Sequence, residues 1–232
     1  MNTTLITLLI AGTAAIASAD TLYLQDFENG ATGYSTSTPE FTDGGTDFFG
    51  RSDNISFSGS VVYNGADGEY FAGMDLDGEG AGLPLHLTTN AIDISNTNNL
   101  QFAIDLAEDD DGSNQDWDDS DYVRFEYNVD GNGWVEIFTA LNTNNIEFNT
   151  EPQINGTAIT STFSTFSADL SGLTGLSMQL RLVWQLDSGD EDLAVDNIML
   201  SGDRIAVVPL PSAAFAGLGL LGAMGAYRRI RA

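Results

Sequence analysis

The chain has 232 residues, with 34 Asp and Glu against 7 Arg, no Lys, no Cys and one His, and a formal net charge of -27. No basic stripe exists to neutralise phosphates, which excludes nucleic acid as a partner. The absence of Cys removes disulfides, thiolate zinc sites and a Cys nucleophile.

His86 alone leaves no His cluster for a transition metal. At 42% hydrophobic and 10% aromatic the chain is too apolar to stay unfolded despite its charge.

Residues 1–19 read as a secretory signal peptide. Leu5 to Ile16 is an apolar run too short to span a bilayer, and Ala17-Ser18-Ala19 is a small-residue site cleavable before Asp20. No Lys or Arg precedes the run. The other reading is a buried N-terminal helix.

Over residues 20–203 the apolar period is 2. Leu100, Phe102, Ile104 and Leu106 alternate with other residues, as do Val123, Phe125, Tyr127 and Val129, and Leu180, Leu182, Trp184 and Leu186. Each set places one apolar face inward. Strand-like runs fall at Ile55–Asn64, Glu69–Met74, Leu83–Leu87, Leu100–Leu106, Tyr122–Val129, Trp134–Thr139, Ser161–Leu170, Met178–Leu186 and Leu193–Leu200. Asp130-Gly131-Asn132-Gly133 is a hairpin signal. No crossover helix is available for a parallel sheet. The expectation is one all-β domain over 20–203, an antiparallel β-sandwich of jelly-roll type. An N-terminal signal helix and a C-terminal transmembrane helix flank it.

Three acidic segments draw interest: Asp26-Phe27-Glu28, Asp75-Leu76-Asp77-Gly78 and Ala194-Val195-Asp196-Asn197-Ile198, the last preceded by Asp190-Glu191-Asp192. Asp196 lies in an apolar run, where a carboxylate is costly unless paired or metal-bound. Too few Arg exist to pair most of the acids, so a hard divalent cation is a sensible counter-charge, and oxygen-only ligands favour Ca²⁺. First and last strands of a jelly roll often adjoin, so Glu28 and Asp196 can share one ion. The alternative is that Asp196 faces solvent. Asp75 and Asp77 resemble half an EF-hand loop, a weaker cation candidate. The run from Glu108 to Asp121 reads as a solvated loop with loose Ca²⁺ binding as the alternative.

Exposed aromatics stack on sugars, and Trp117, Trp134, Tyr34 and Tyr63 are the candidates. Trp117, in an acidic loop, is the preferred ligand-binding residue unless it folds back over the sandwich edge. Trp184 is expected in the core, and His86 is expected as a strand residue rather than a base. No acid-base set is placed for catalysis, so the protein is read as not an enzyme.

The C-terminus is segregated in charge. Every acid lies between Asp20 and Asp203, and Arg228, Arg229 and Arg231 close the chain. Val208-Pro209-Leu210-Pro211-Ser212 precedes an apolar segment, 213–227, and the Arg cluster, 228–231. An apolar run capped by Arg is a membrane stop with its basic end in the cytoplasm. This three-part tail, 204–232, resembles the PEP-CTERM sorting signal in its Val-Pro-Leu-Pro variant. That resemblance implies an exosortase as partner, transient inner-membrane anchoring in a Gram-negative bacterium, and delivery to the cell surface or matrix.

A second resemblance covers the body. Asp26-Phe27-Glu28, Gly68-Glu69-Tyr70-Phe71 and Asp192-Leu193-Ala194-Val195-Asp196-Asn197-Ile198 are similar to the MAM-type jelly roll, a relative in shape of laminin-G sandwiches. It implies an extracellular binding domain with a cation held by Glu28 and Asp196, and with Asp47 as a further candidate. The family's disulfides are missing, and Asn197 replaces the second acid of its Asp-Asp pair. The expected function is an exported, Ca²⁺-stabilised surface or matrix sandwich that binds exopolysaccharide. The alternatives are a secreted glycan-acting hydrolase and a purely structural matrix protein.

Overall fold

The computed structural model describes residues 19–42, 47–53, 61–77, 80–109, 117–142 and 151–205. These residues form two antiparallel sheets and no helix. The expected signal helix, the transmembrane segment and the sorting motif at Val208, Pro209, Leu210 and Pro211 lie outside the described residues, as do Arg228, Arg229 and Arg231.

The first sheet has seven strands: β1 (Asp20–Gln25), β3 (Phe41–Thr42), β4 (Phe48–Ser52), β5 (Tyr70–Met74), β8 (Thr97–Ala107), β13 (Ser164–Asp169) and β15 (Asp192–Arg204). Its order is β13-β8-β15-β5-β4-β3, with β1 also against β15. The second has eight: β2 (Tyr34–Thr36), β6 (Leu85–Thr89), β7 (Ile92–Asp93), β9 (Tyr122–Val129), β10 (Val135–Leu141), β11 (Gln153–Ile154), β12 (Thr157–Ala158) and β14 (Ser177–Gln185). Its order is β12-β11-β10-β9-β14-β6-β2, with β7 also against β14.

The alternating sets meet between the sheets. Phe102, Ile104, Val123, Phe125, Leu180, Leu182 and Trp184 are all buried in one core. Phe49 packs edge to face on both Phe71 and Trp184, with ring centroids 4.9 and 5.6 Å away. β5 is buried along its whole length. Phe71 joins the main core, while Tyr70, Ala72 and Met74 face the other way, under Val61, Tyr63 and Phe163. Its continuous apolar reading follows from burial on both faces.

The hairpin signal closes β9 onto β10. Asp130 and Gly131 both have positive φ, 52° and 75°, and the Asn132 N–H donates to Val129 O at 3.0 Å. Positive φ at both central residues is the type I′ turn that matches strand twist.

β15 changes partners midway. Residues Asp192–Val195 pair with β5, and Ile198–Gly202 pair with β1. Between them a register shift sits at Asn197, whose φ is 49°. This bulge turns the strand where the first and last strands meet.

Candidate functional site

Three connections converge at one end of the sandwich. The Leu76 N–H donates to Leu186 O at 3.0 Å, Asp192 pairs with Met74, and Tyr122 pairs with Gln185. The turn after β5 therefore lies beside the β14–β15 connection, which lies beside the start of β9.

Here Asp121, Asp187 and Glu191 each offer a carboxylate oxygen within 4.8 Å of the others. Asp121 and Glu191 are both only 2% exposed, and Asp187 opens to solvent. Burial raises the pKa of Asp121 and of Glu191. The charge of Glu191 adds to the rise at Asp121, and that of Asp187 to the rise at Glu191. Glu191 Oε2 accepts the N–H groups of Asp187 at 2.8 Å and Ser188 at 3.1 Å. Asp121 Oδ2 accepts the Asp118 N–H at 2.5 Å, while its Oδ1 is buried with no hydrogen-bond partner among the described residues. Two carboxyls meeting oxygen to oxygen need a shared proton or a cation between them. The four ion pairs among the described residues use Glu40, Glu69 and Glu126 and do not reach this group. The donor set is all oxygen and anionic, so the three side chains can hold a metal ion of the hard, oxygen-seeking kind.

A second acidic group sits at the β15 bulge. β1 lies beside β15, as the jelly-roll reading expects, and this brings Asp26 and Glu28 to Asp196. Asp196 is 2% exposed rather than solvent-facing. Its pKa is raised to about 7, first by burial, with contributions from the charges of Asp105, Glu28 and Asp26. The protein's own donors serve these acids. Asp196 Oδ1 accepts the Asn197 N–H at 2.7 Å, Asn197 Nδ2 donates to Asp105 at 2.9 Å, and Glu28 Oε1 accepts the Glu69 N–H at 2.6 Å. Gly68, at φ 95°, lets Glu28 in, because a Cβ there would fall on the Glu28 carboxyl. Asp47 does not join this group. Phe48 pairs with Met74, so Asp47 is in register with Asp75, at the opposite end of β5 from Glu69 and about 20 Å of strand away. Asp75 and Asp77 lie on the same rim as Asp187.

Trp117 requires a correction. It is fully buried and belongs to the main core, with Asn142 Nδ2 donating to its carbonyl at 2.6 Å. An indole there presents no face to a sugar. Tyr34 and Tyr63 are buried as well, and the Tyr63 hydroxyl donates to Asp192 at 2.5 Å. Trp184 is in the core, and His86 is on β6.

Of the four aromatic candidates, Trp134 is the one left half-exposed, and it lies on the outer side of the second sheet. Tyr122, Arg124 and Glu126 alternate with the core residues Val123 and Phe125 and so face out. Arg181, opposite Glu126 in register, donates to it through Nε at 2.7 Å, and Arg124 pairs with the same carboxylate at 3.5 Å. Each guanidinium also lies over a ring: Arg181 is 4.1 Å from the Trp134 centroid and Arg124 is 4.7 Å from that of Tyr122. A groove of about 570 Å³ runs over β9 and β10, lined by Asp121, Tyr122, Arg124, Glu136, Thr139 and Asn142 among others.

No protein-family model matches the sequence, and no curated protein does. Solved structures show distant likenesses. The stig cyclase Fisc from Fischerella sp. TAU is 16% identical, over 82% of this chain and 100% of that one, with a TM-score of 0.48. A cleaved adhesin domain of Lys-gingipain from Porphyromonas gingivalis is 15% identical, over 78% and 98%, with a TM-score of 0.43. The CBM22-1 xylan-binding domain from Paenibacillus barcinonensis Xyn10C is 11% identical, over 83% and 100%, with a TM-score of 0.40. Likeness at this distance carries no role from one protein to another.

Proposed function

We propose that the protein is an exported, non-enzymatic β-sandwich of the cell surface or matrix, held at one rim by Ca²⁺ and binding exopolysaccharide. Asp121, Asp187 and Glu191 are the ligands, with further oxygens from water or backbone completing the shell. The observation that carries the reading is the pair of buried carboxyls, Asp121 and Glu191, with Asp187 beside them and, among the described residues, no Arg in an ion pair with any of the three. Export rests on the sequence alone: the A-x-A signal at 17–19 and the PEP-CTERM-like tail. Exosortase processing after transient anchoring in the inner membrane follows from the same tail. An extracellular site also supplies Ca²⁺ at concentrations that weak carboxylate sites can use.

A glycan-acting hydrolase is the second reading, favoured by the raised pKa of Asp121 beside the groove. A general acid must come within hydrogen-bond reach of the glycosidic oxygen. Both raised carboxyls are too buried for that without opening the rim.

Thermal unfolding in excess Ca²⁺ and in chelator tests the cation. At 100 times the dissociation constant, mass action adds about 2.7 kcal/mol. For a domain of this size that is a rise in melting temperature of roughly 5–10 °C. An unchanged melting temperature removes the metal from the account.

A further inference from the structure

We propose that the outer face of the second sheet is the glycan-binding surface, and that it takes an uncharged polysaccharide chain laid across Tyr122 and Trp134. This deepens the exopolysaccharide reading and rests on it.

Four observations meet on this face. Two of the four Arg among the described residues lie here, and both are locked to Glu126, which leaves them few rotamers to lose on binding. Each guanidinium lies against a ring, so Tyr122 and Trp134 are held in place as flat platforms. Tyr122 and Glu126 are four residues apart, and Trp134 covers the Arg181 opposite Glu126, so the rings stand on the order of 13 Å apart along the strands. That spacing suits a chain of several sugar rings rather than one.

The third observation is polar. Thr139 Oγ1 is buried in the groove wall with no hydrogen-bond partner among the described residues. A sugar hydroxyl, both donor and acceptor, satisfies it. The fourth is charge. Glu126 is shared by Arg124 and Arg181, and with Glu136 in the groove these two carboxylates and two guanidiniums sum to zero, so the face carries no excess of positive charge. With nothing there to offset it, the net charge of -27 repels an anionic polymer. A protein partner is disfavoured because an interface core is apolar. Of the four exposed large hydrophobics among the described residues, Val135 alone belongs to these strands.

Affinity electrophoresis of the purified protein in gels containing neutral glucan, galactan, mannan or xylan, and in gels containing alginate as an anionic control, tests the proposal. Trp134→Ala and Tyr122→Ala each weaken retardation by a neutral glycan about tenfold, and Thr139→Val weakens it with no loss of melting temperature. Retardation by a neutral glycan that survives Trp134→Ala and Tyr122→Ala overturns the face and leaves glycan binding standing. Retardation by alginate alone overturns the choice of an uncharged chain. No retardation in any gel overturns both this proposal and the exopolysaccharide reading.

Discussion

Replacing Asp121 by Asn removes a charge while keeping the side chain's size. In chelator the change relieves the repulsion among Asp121, Asp187 and Glu191, and the new amide can donate to Glu191. The Asp121→Asn protein should therefore unfold at the same urea concentration as the parent, or a higher one. In Ca²⁺ the same substitution loses a ligand, and about 2 kcal/mol of cation-linked stability goes with it. Equal destabilisation under both conditions would make the group a hydrogen-bonding device and no cation site. The burial of Asp121 was legible, because it continues the phase of the buried Val123 and Phe125. The neighbouring Asp run masked that signal by reading as solvated. Glu191 is likewise in phase with Leu193 and Val195, both in the core. Trp117 misled in the same way: local polarity said exposed, and tertiary packing buried it. The meeting of Asp121 with Asp187 and Glu191 was not legible, since it depends on which loops share a rim.

At the scale of elements, the long strands announce themselves and the short ones do not. β9 has the predicted bounds, and β14 is displaced by a single residue at each end. Both repeat their period over eight or nine residues. β3, β7, β11 and β12 have two residues each, too few for any period to show. β3, β7 and β11 exist because a longer neighbour pairs with them, and β12 folds back on β11 through the turn at Asn155 and Gly156, both at positive φ. One element-level link joins the β9–β10 turn to the start of β14. Asp130 accepts the N–H groups of Leu176 at 3.0 Å and Ser177 at 2.9 Å, from a residue already at positive φ. Asp130→Ala loses both acceptors and adds strain at the turn, and should cost about 1–2 kcal/mol in urea unfolding, with glycan binding retained at temperatures where the protein is folded. An unchanged urea midpoint would mean that the turn holds without this carboxylate.

Across the whole molecule, charge decides how stability responds to pH. The sandwich class was readable from period and turn spacing, and the side-by-side placement of β1 and β15 followed from the jelly-roll reading. The positions of the acids within the two sheets set the rest. Asp196, raised to about 7 by burial, holds its proton more tightly in the folded protein than in the unfolded chain, and Asp121 and Glu191 are shifted in the same direction. The folded state then binds more protons than the unfolded one, so stability falls as pH rises. This contribution is full below about pH 4, the ordinary carboxylate range, and is lost as pH climbs through the raised values. A cation at the rim reverses part of the loss, because it binds the deprotonated carboxylates.

The measurement that bears most directly on the cation-held rim is the urea midpoint of unfolding at pH 5 and at pH 8, each in chelator and in excess Ca²⁺. The midpoint in chelator should fall from pH 5 to pH 8, and the gain from Ca²⁺ should be small at pH 5 and large at pH 8. Superimposable midpoints with and without Ca²⁺ at both pH values would contradict the account.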